Sequence, residues 1–121
     1  MNKSILSDVK QSLSITPDCD AFDTQLIMDI NSVLSTLEQI GVEVNQQFVL
    51  TDKSNTWNEF LIQSPNVQRI LNFIKYYVSL KVRIIFDPPN SSSLVESINR
   101  QISEMEWRID NEIRQSNVVI E

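Results

Sequence analysis

Three aspartates close to the start of a predicted helix form the densest group of side chains that could bind a metal ion. Asp18, Asp20 and Asp23 resemble the opening of a calcium-binding loop, in which oxygen ligands alternate along the chain. Phe22 stands where the fifth-position ligand belongs, and no glycine or distal glutamate follows in register. Helix capping explains these acids better, so the sequence predicts no metal site.

The sequence lacks the residues on which most enzyme sites depend. It contains no histidine, which removes the commonest general base and the commonest transition-metal ligand. Its single glycine, Gly41, excludes a glycine-rich phosphate loop and a dinucleotide-binding fingerprint. No spacing singles out a pair of carboxylates for acid–base chemistry. We therefore expect neither an enzyme nor a cofactor.

The chain has the length of one domain, 121 residues. Cys19, the only cysteine, can form no disulfide within the chain, which favours synthesis in a reducing cytoplasm. The first residues lack the apolar core of a signal peptide, so we expect no export. The longest apolar stretch carries Lys75, Lys81 and Arg83 and is not typical of a membrane span.

The segment ILNFIKYYVSLKVRIIFDPP, residues 70–89, contains most of the predicted central helix and the prolines that end it. Its apolar residues recur at the three- and four-residue spacing of a helix that buries one face. They are Val67, Ile70, Leu71, Ile74, Tyr77, Val78, Val82 and Ile85, with Phe73, Leu80 and Ile84 widening the stripe. Ser64 is the predicted N-cap, Pro65 suits the first turn, and the prolines after Asp87 end the helix.

Two helices precede this segment in the prediction. The first is short and amphipathic, with Ser4 as its cap and Pro17 after its end. The second runs from Phe22 to Ile40, begins with a cap from Asp18 or Asp20, and ends at a left-handed Gly41. Its polar face is mostly uncharged, which fits a contact with another protein or plain exposure to solvent.

The remaining elements complete an all-α fold. Thr56 and Glu59 have the spacing of a capping box and begin a short helical turn. Ser93 and Glu96 have the same spacing before a long final helix, whose surface carries charged pairs four residues apart: Glu96 with Arg100, Arg100 with Glu104, and Glu104 with Arg108. The sequence therefore predicts a small bundle of about four to five helices with a long central and a long C-terminal helix.

Two segments have no clear periodicity. Residues 42–55 fit either an irregular loop or two short strands. The tail, residues 115–121, reads as frayed or as an extended segment that needs a partner. We expect both segments to become ordered when the protein assembles with its neighbours.

Charge is unevenly distributed along the chain, whose net charge is −6. Residues 1–52 hold eight acids and two bases, residues 53–90 hold two acids and five bases, and residues 91–121 hold six acids and three bases. An acidic beginning with a basic middle suggests that subunits or partners meet through opposite patches. It argues against a dedicated nucleic-acid binder, which gathers a basic stripe.

Five residues are candidates for an interface between subunits or with a partner. Lys81 falls in the middle of the apolar stripe of the central helix, where it must reach solvent, pair with an acid or face another subunit. A pair with Glu106, within or between subunits, would satisfy it. Trp107 points away from the apolar face of its own helix, as an interface anchor does, or else packs against the turn at residues 56–61. Arg69 and Arg83 are the other two candidates.

Four motifs together resemble the phage head-to-tail connector proteins of the adaptor type, encoded by phages and prophages of Gram-positive bacteria. The resemblance spans about residues 5–114, and its specific part is the block KVRxxFDPP followed by ExEWR. The motifs are FDxxLxxxINSxxxxLxQxGV at Phe22 to Val42, TWxxF at Thr56 to Phe60, IKYYVxLKVRxxFDPP at Ile74 to Pro89, and ExEWR at Glu104 to Arg108.

The resemblance implies a structural virion protein of one connector domain, residues 1–121, with no catalytic motif. Such a subunit would form a ring under the portal vertex and bind the portal on one side and a head-closure or tail-completion protein on the other. Viral DNA would pass through the ring without sequence-specific binding, and no membrane would be involved.

Two other functions fit the same residues. One is a small helical adaptor or regulatory protein of the bacterial host that acts as a dimer. The other is a helical nucleic-acid-binding module that uses Arg69, Lys75 and Arg83.

Overall fold

The computed structural model describes the backbone of residues 3–118 and the side chains of residues 3–115. The described chain contains five helices: α1 (Ile5–Ser12), α2 (Asp23–Ile40), α3 (Trp57–Phe60), α4 (Pro65–Phe86) and α5 (Ser92–Val118). No strand forms within residues 3–118, where only two isolated β-bridges occur. The predicted all-α bundle with a long central helix and a long C-terminal helix is confirmed.

The central helix, α4, packs against both α2 and α5. Ile74, Tyr77, Val78 and Val82 of its apolar stripe are fully buried. Its predicted limits are confirmed: the Ser64 hydroxyl accepts the Val67 N–H at 3.2 Å, and helix α4 ends before Asp87. Phe22 lies against Phe86, so the start of α2 meets the end of α4 and these two helices run antiparallel.

Helix α5 folds back along α4 as an antiparallel neighbour. Arg69 on the first half of α4 reaches Glu112 near the end of α5, and Tyr76 further along α4 reaches Gln101. The backbone of α5 continues through Val118, so residues 115–118 are helical and not an extended tail. The last three residues, 119–121, lie outside the described part of the chain.

The start of α5 differs from the prediction. The Ser91 hydroxyl accepts the Leu94 N–H at 3.3 Å, which places the cap two residues before the predicted Ser93. The capping box of Ser93 with Glu96 is therefore wrong, because both residues already lie inside the helix.

The predicted charge ladder of α5 forms only in part. Among the described side chains, Glu104 pairs with Arg108 at 2.9 Å, whereas Arg100 has no ion pair with either Glu96 or Glu104. The helix carries instead a pair of Asp110 with Arg114 at 2.8 Å that the sequence prediction did not include.

The N-terminal helices follow the prediction except at the start of α2. Ser4 caps α1, and Gly41 ends α2 with a φ of 117°, both as predicted. Neither Asp18 nor Asp20 caps α2, because Phe22 occupies the cap position and no side chain bonds there. Asp23 instead pairs with the buried Lys10 of α1 at 2.9 Å.

Residues 42–55 form an irregular loop, which resolves the alternative in favour of the loop over the hairpin. Asn31 of α2 holds this loop with two hydrogen bonds to the backbone of Leu50, at 3.0 Å to its carbonyl and 2.9 Å from its N–H. Within the same loop, the Asn45 N–H donates to the carbonyl of Phe60, the last residue of α3, at 2.8 Å. The loop is therefore held by contacts within one chain, and the expectation that it becomes ordered on assembly stays a prediction.

The short helix α3 closes the core next to α1. The Thr56 N–H donates to the Glu59 carboxylate at 2.9 Å, which confirms the capping box. Trp57 and Phe60 are buried, as the pattern predicted.

Candidate interface surfaces

Lys81 and Glu106, two of the five candidates, both contact Tyr77, which is not a candidate itself. The buried Tyr77 hydroxyl donates to Glu106 Oε2 at 2.8 Å, and Lys81 Nζ lies 5.9 Å from the centre of the Tyr77 ring. Burial, together with the hydrogen bond and the negative charge of Glu106, raises the pKa of Tyr77 well above its ordinary value. Within the described chain, Lys81 and Glu106 form no ion pair with each other.

The two arginine candidates lie at opposite halves of α4. Arg69 pairs with Glu112 of α5 at 2.8 Å although its side chain is largely exposed. Arg83 donates through Nε to the carbonyl of Asp87 at 3.3 Å and makes no ion pair in the described structure. Arg69 is thus engaged within the subunit, whereas Arg83 keeps its charge available to another molecule.

Trp107 is the most exposed of the candidates, with 63% of its surface accessible. It borders a shallow cleft between α5 and the end of α2, together with Gln39, Ile40, Ser103 and Asp110. This exposure and the position beside α2 do not favour the alternative, that Trp107 packs against the turn at residues 56–61. An indole this exposed contributes little to the core, so it is available as an anchor for another protein.

The exposed side of α2 beside this cleft carries almost no charge. Asp23 is paired with Lys10, and Asp29 is buried, which leaves Glu38 as the only exposed charge on the helix. The other exposed side chains of this face are Thr24, Gln25, Met28, Ser32, Ser35 and Gln39. Such a face loses little hydration energy when another protein covers it.

Asp29 is a buried acid that no pattern in the sequence singles out. Only 6% of the residue is exposed, and its Oδ1 accepts a hydrogen bond from the Gln25 amide at 2.9 Å. Its Oδ2 has no hydrogen-bond partner among the described atoms.

One end of the bundle exposes apolar side chains that the sequence prediction assigned to helix stripes or left unremarked. At this end α2 begins, α4 ends and α5 begins, and Phe22, Ile85 and Leu94 are each about half exposed there. Helix α4 ends here at the FDPP motif. Prolines that stop a helix directly after an apolar stripe are a signal in the sequence that could have indicated this exposed apolar surface.

The basic residues proposed for a nucleic-acid surface do not share a face of the structure. Arg69 pairs with Glu112 of α5, whereas Lys75 lies 3.6 Å from Asp8 of α1 on another side of α4. Two of the three charges are thus offset by carboxylates, and no stripe for phosphates results. Within the described residues no group of three potential metal ligands lies together, and no helix is long and apolar enough to cross a membrane.

Comparison with known families matches the chain to a family of phage proteins. The family model described as phage connector protein matches residues 5–116, which is nearly the whole chain. Neither a curated protein nor a solved structure matches.

Proposed function

The chain belongs to the phage connector protein family, and from that premise we propose that it is a structural virion protein that forms a ring beneath the portal. In this proposal the ring joins the capsid to a head-closure or tail-completion protein, and DNA passes through it. The protein acts by assembly and docking rather than by catalysis. Its place would be the head-to-tail connector region of the virion.

The exposed Trp107 is the observation that carries the proposal of ring assembly. A ring of identical subunits needs two different surfaces on each chain that meet in a closing contact. Trp107, at the cleft between α2 and α5, supplies an aromatic anchor for one of them. The nearly uncharged side of α2 adjoins the anchor and is inexpensive to desolvate.

The other candidate residues take two roles in the proposal. Arg83 carries a charge that no described carboxylate offsets, so we assign it to a contact with a neighbouring subunit or with the portal. Arg69, Lys81 and Glu106 hold the α4–α5 surface that presents Trp107, through their contacts with Glu112 and Tyr77.

The net charge suits a channel for DNA. At −6 the chain carries an excess of carboxylates, which repel the phosphate backbone and so keep DNA from adhering to the ring.

The test is assembly with purified portal protein, followed by light scattering after size exclusion and by electron microscopy. We expect the wild type to form a ring-shaped, high-order complex on the portal. Trp107→Ala should weaken this assembly by about tenfold or more, as the loss of an interface anchor does. Val49→Ala is the matched control, because Val49 is equally exposed on the loop at residues 42–55 and should change nothing.

Two results would reject the proposal. A persistent dimer that ignores the portal would favour a regulatory protein of the bacterial host. Salt-sensitive retention on DNA, without portal binding, would favour the nucleic-acid-binding module.

A further inference from the structure

The end of the bundle where α2 begins and α4 stops leaves part of the apolar core uncovered. We call this surface, formed by Phe22, Ile85 and Leu94, the open end. These three side chains are 47%, 49% and 54% exposed. Phe22 also contacts the Phe86 ring edge-on, with 5.6 Å between ring centres, so the aromatic part of the surface is held in place.

The open end exists because the apolar stripe of α4 continues past the part of the helix that the other helices bury. Ile74 and Val78 on this stripe are fully buried beneath α2 and α5, but Ile85, further along the same stripe, is half exposed. Helix α2 begins only at Asp23, and Phe22 before it covers the Phe86 side of the last turn of α4. The Ile85 side of that turn stays half exposed. About half the surface of each apolar side chain is thus left for another molecule to bury.

Carboxylates flank the residues of the open end along the chain. Asp18 and Asp20 precede Phe22, and Asp87 follows Phe86; all three are exposed, and none has an ion pair in the described structure. The nearby Lys10 is committed to Asp23 at 2.9 Å. Lys81 and Arg83 are the cations on the last turns of α4, so the three carboxylates outnumber the positive charges there.

We propose that the open end binds a segment of another virion protein in which lysine or arginine residues alternate with apolar residues. The inference rests on the proposed function, since it names the chemistry of a docking partner of the connector. Apolar side chains of the segment would complete the core beside Ile85, and its cations would pair with Asp18, Asp20 and Asp87. The same carboxylates would repel nucleic acid and anionic lipid.

A second copy of this chain fits the open end less well. Half of its cations, at Lys10, Arg69, Lys75, Arg108 and Arg114, already form ion pairs within the described structure. The other five differ in their surroundings. Lys3 and Lys53 have polar neighbours in the sequence, and Lys81 and Arg83 lie beside the open end itself. Arg100 is exposed two helical turns from Trp107, in the part of α5 that belongs to the proposed contact between subunits.

The first probe is a synthetic peptide in which leucine and lysine alternate, with glutamate in place of lysine in the control peptide. Binding is measured by calorimetry, and methyl NMR signals report the location. We expect the lysine peptide to bind and to shift the signals of Ile85 and Leu94, whereas the glutamate peptide should not bind.

Variants then separate the open end from general attraction to an acidic protein. Leu94→Ser and the double variant Asp18→Asn, Asp20→Asn should each weaken peptide binding by about tenfold. Val49→Ser and Glu38→Gln replace an exposed apolar residue and an exposed acid elsewhere, and should bind as the wild type does. Circular dichroism melts establish that each variant is folded.

Three outcomes would overturn the inference: equal binding of both peptides, equal loss in the control variants, or methyl shifts confined to other surfaces. Loss of self-association in Leu94→Ser would assign the open end to a second copy and would also overturn it. The ring proposal is tested separately, because assembly of the wild type on the portal is measured without the peptide and without a change at the open end.

Discussion

The indole N–H of Trp57 donates a hydrogen bond to Asp8 Oδ2 at 2.9 Å, joining two residues that lie 49 positions apart. Lys75 Nζ lies 3.6 Å from the same oxygen and 5.7 Å from the centre of the Trp57 ring. One carboxylate of α1 therefore holds α3 and α4 together, at a place where the indole is almost fully buried.

Removing this carboxylate should destabilise the fold. Asp8→Ala leaves the buried indole N–H without its acceptor, which should lower the free energy of unfolding by about 1–3 kcal/mol. Asp8→Asn retains an oxygen acceptor and should lose less. Urea denaturation measures both, with Glu38→Gln as the control that removes an exposed acid. Equal losses in the two Asp8 variants would contradict the role of the hydrogen bond.

The amide of Asn31 is expected to hold the loop at residues 42–55. Asn31→Ala leaves the N–H and carbonyl of the buried Leu50 unpaired, which should lower the free energy of unfolding by about 1–3 kcal/mol. Hydrogen exchange at the Leu50 amide should become faster at the same time. Ser32→Ala, a change at the exposed neighbouring residue, should leave that exchange rate unaltered.

Tyr77 should make the fold sensitive to alkaline pH. Its pKa is raised in the folded protein, above the value of 10.0 expected when unfolded, so the unfolded chain loses this proton first. The free energy of unfolding should therefore fall as pH rises above about 10, and that of the Tyr77→Phe variant should fall less steeply. Denaturation of both proteins between about pH 8 and pH 11 measures the difference. The same pH dependence of the free energy of unfolding in both proteins above pH 10 would contradict a raised pKa of Tyr77 in the folded protein.

The hypothesis of a Lys81–Glu106 pair divides into two measurable parts. Within one subunit, a cycle of Lys81→Glu, Glu106→Lys and the double variant should give a coupling below about 0.5 kcal/mol, because Glu106 bonds Tyr77 and no ion pair with Lys81 forms. A coupling above about 1 kcal/mol would contradict this arrangement.

Between subunits the pair remains a prediction. If Lys81 of one subunit meets Glu106 of the next, the double charge reversal should assemble on the portal better than either single reversal does. Assembly no better than that of the single variants would exclude the pair.

Helix limits followed from local chemistry and could be predicted. Ser64 with Pro65, the lone Gly41 and the Thr56–Glu59 box each act within a few residues of their own position, and each is found as predicted. The cap of α5 was misplaced because Ser91, Ser92 and Ser93 are adjacent and all can cap a helix. The three-residue spacing from Ser93 to Glu96 favoured Ser93, whereas Ser91 caps the helix.

Contacts between distant segments could not be predicted in the same way. The bond from Asn31 to Leu50 and the bond from Trp57 to Asp8 depend on how α2, α3 and the loop pack, which no local pattern encodes. The exposure of Trp107 followed from its angle on the helix, whereas the open end required knowing where α2 and α5 stop relative to α4.

The antiparallel pairing of α4 and α5 has a mechanical consequence for a connector. Helix α4 alone is about 33 Å long, and contacts from Arg69–Glu112 to Tyr76–Gln101 cross-brace it to α5. The open end lies at the hairpin between these helices, and Trp107 lies well along α5 from it. A force applied between the open end and the surface around Trp107 would thus pass through two cross-braced helices. The subunit would therefore move as a rigid body rather than bend as a hinge.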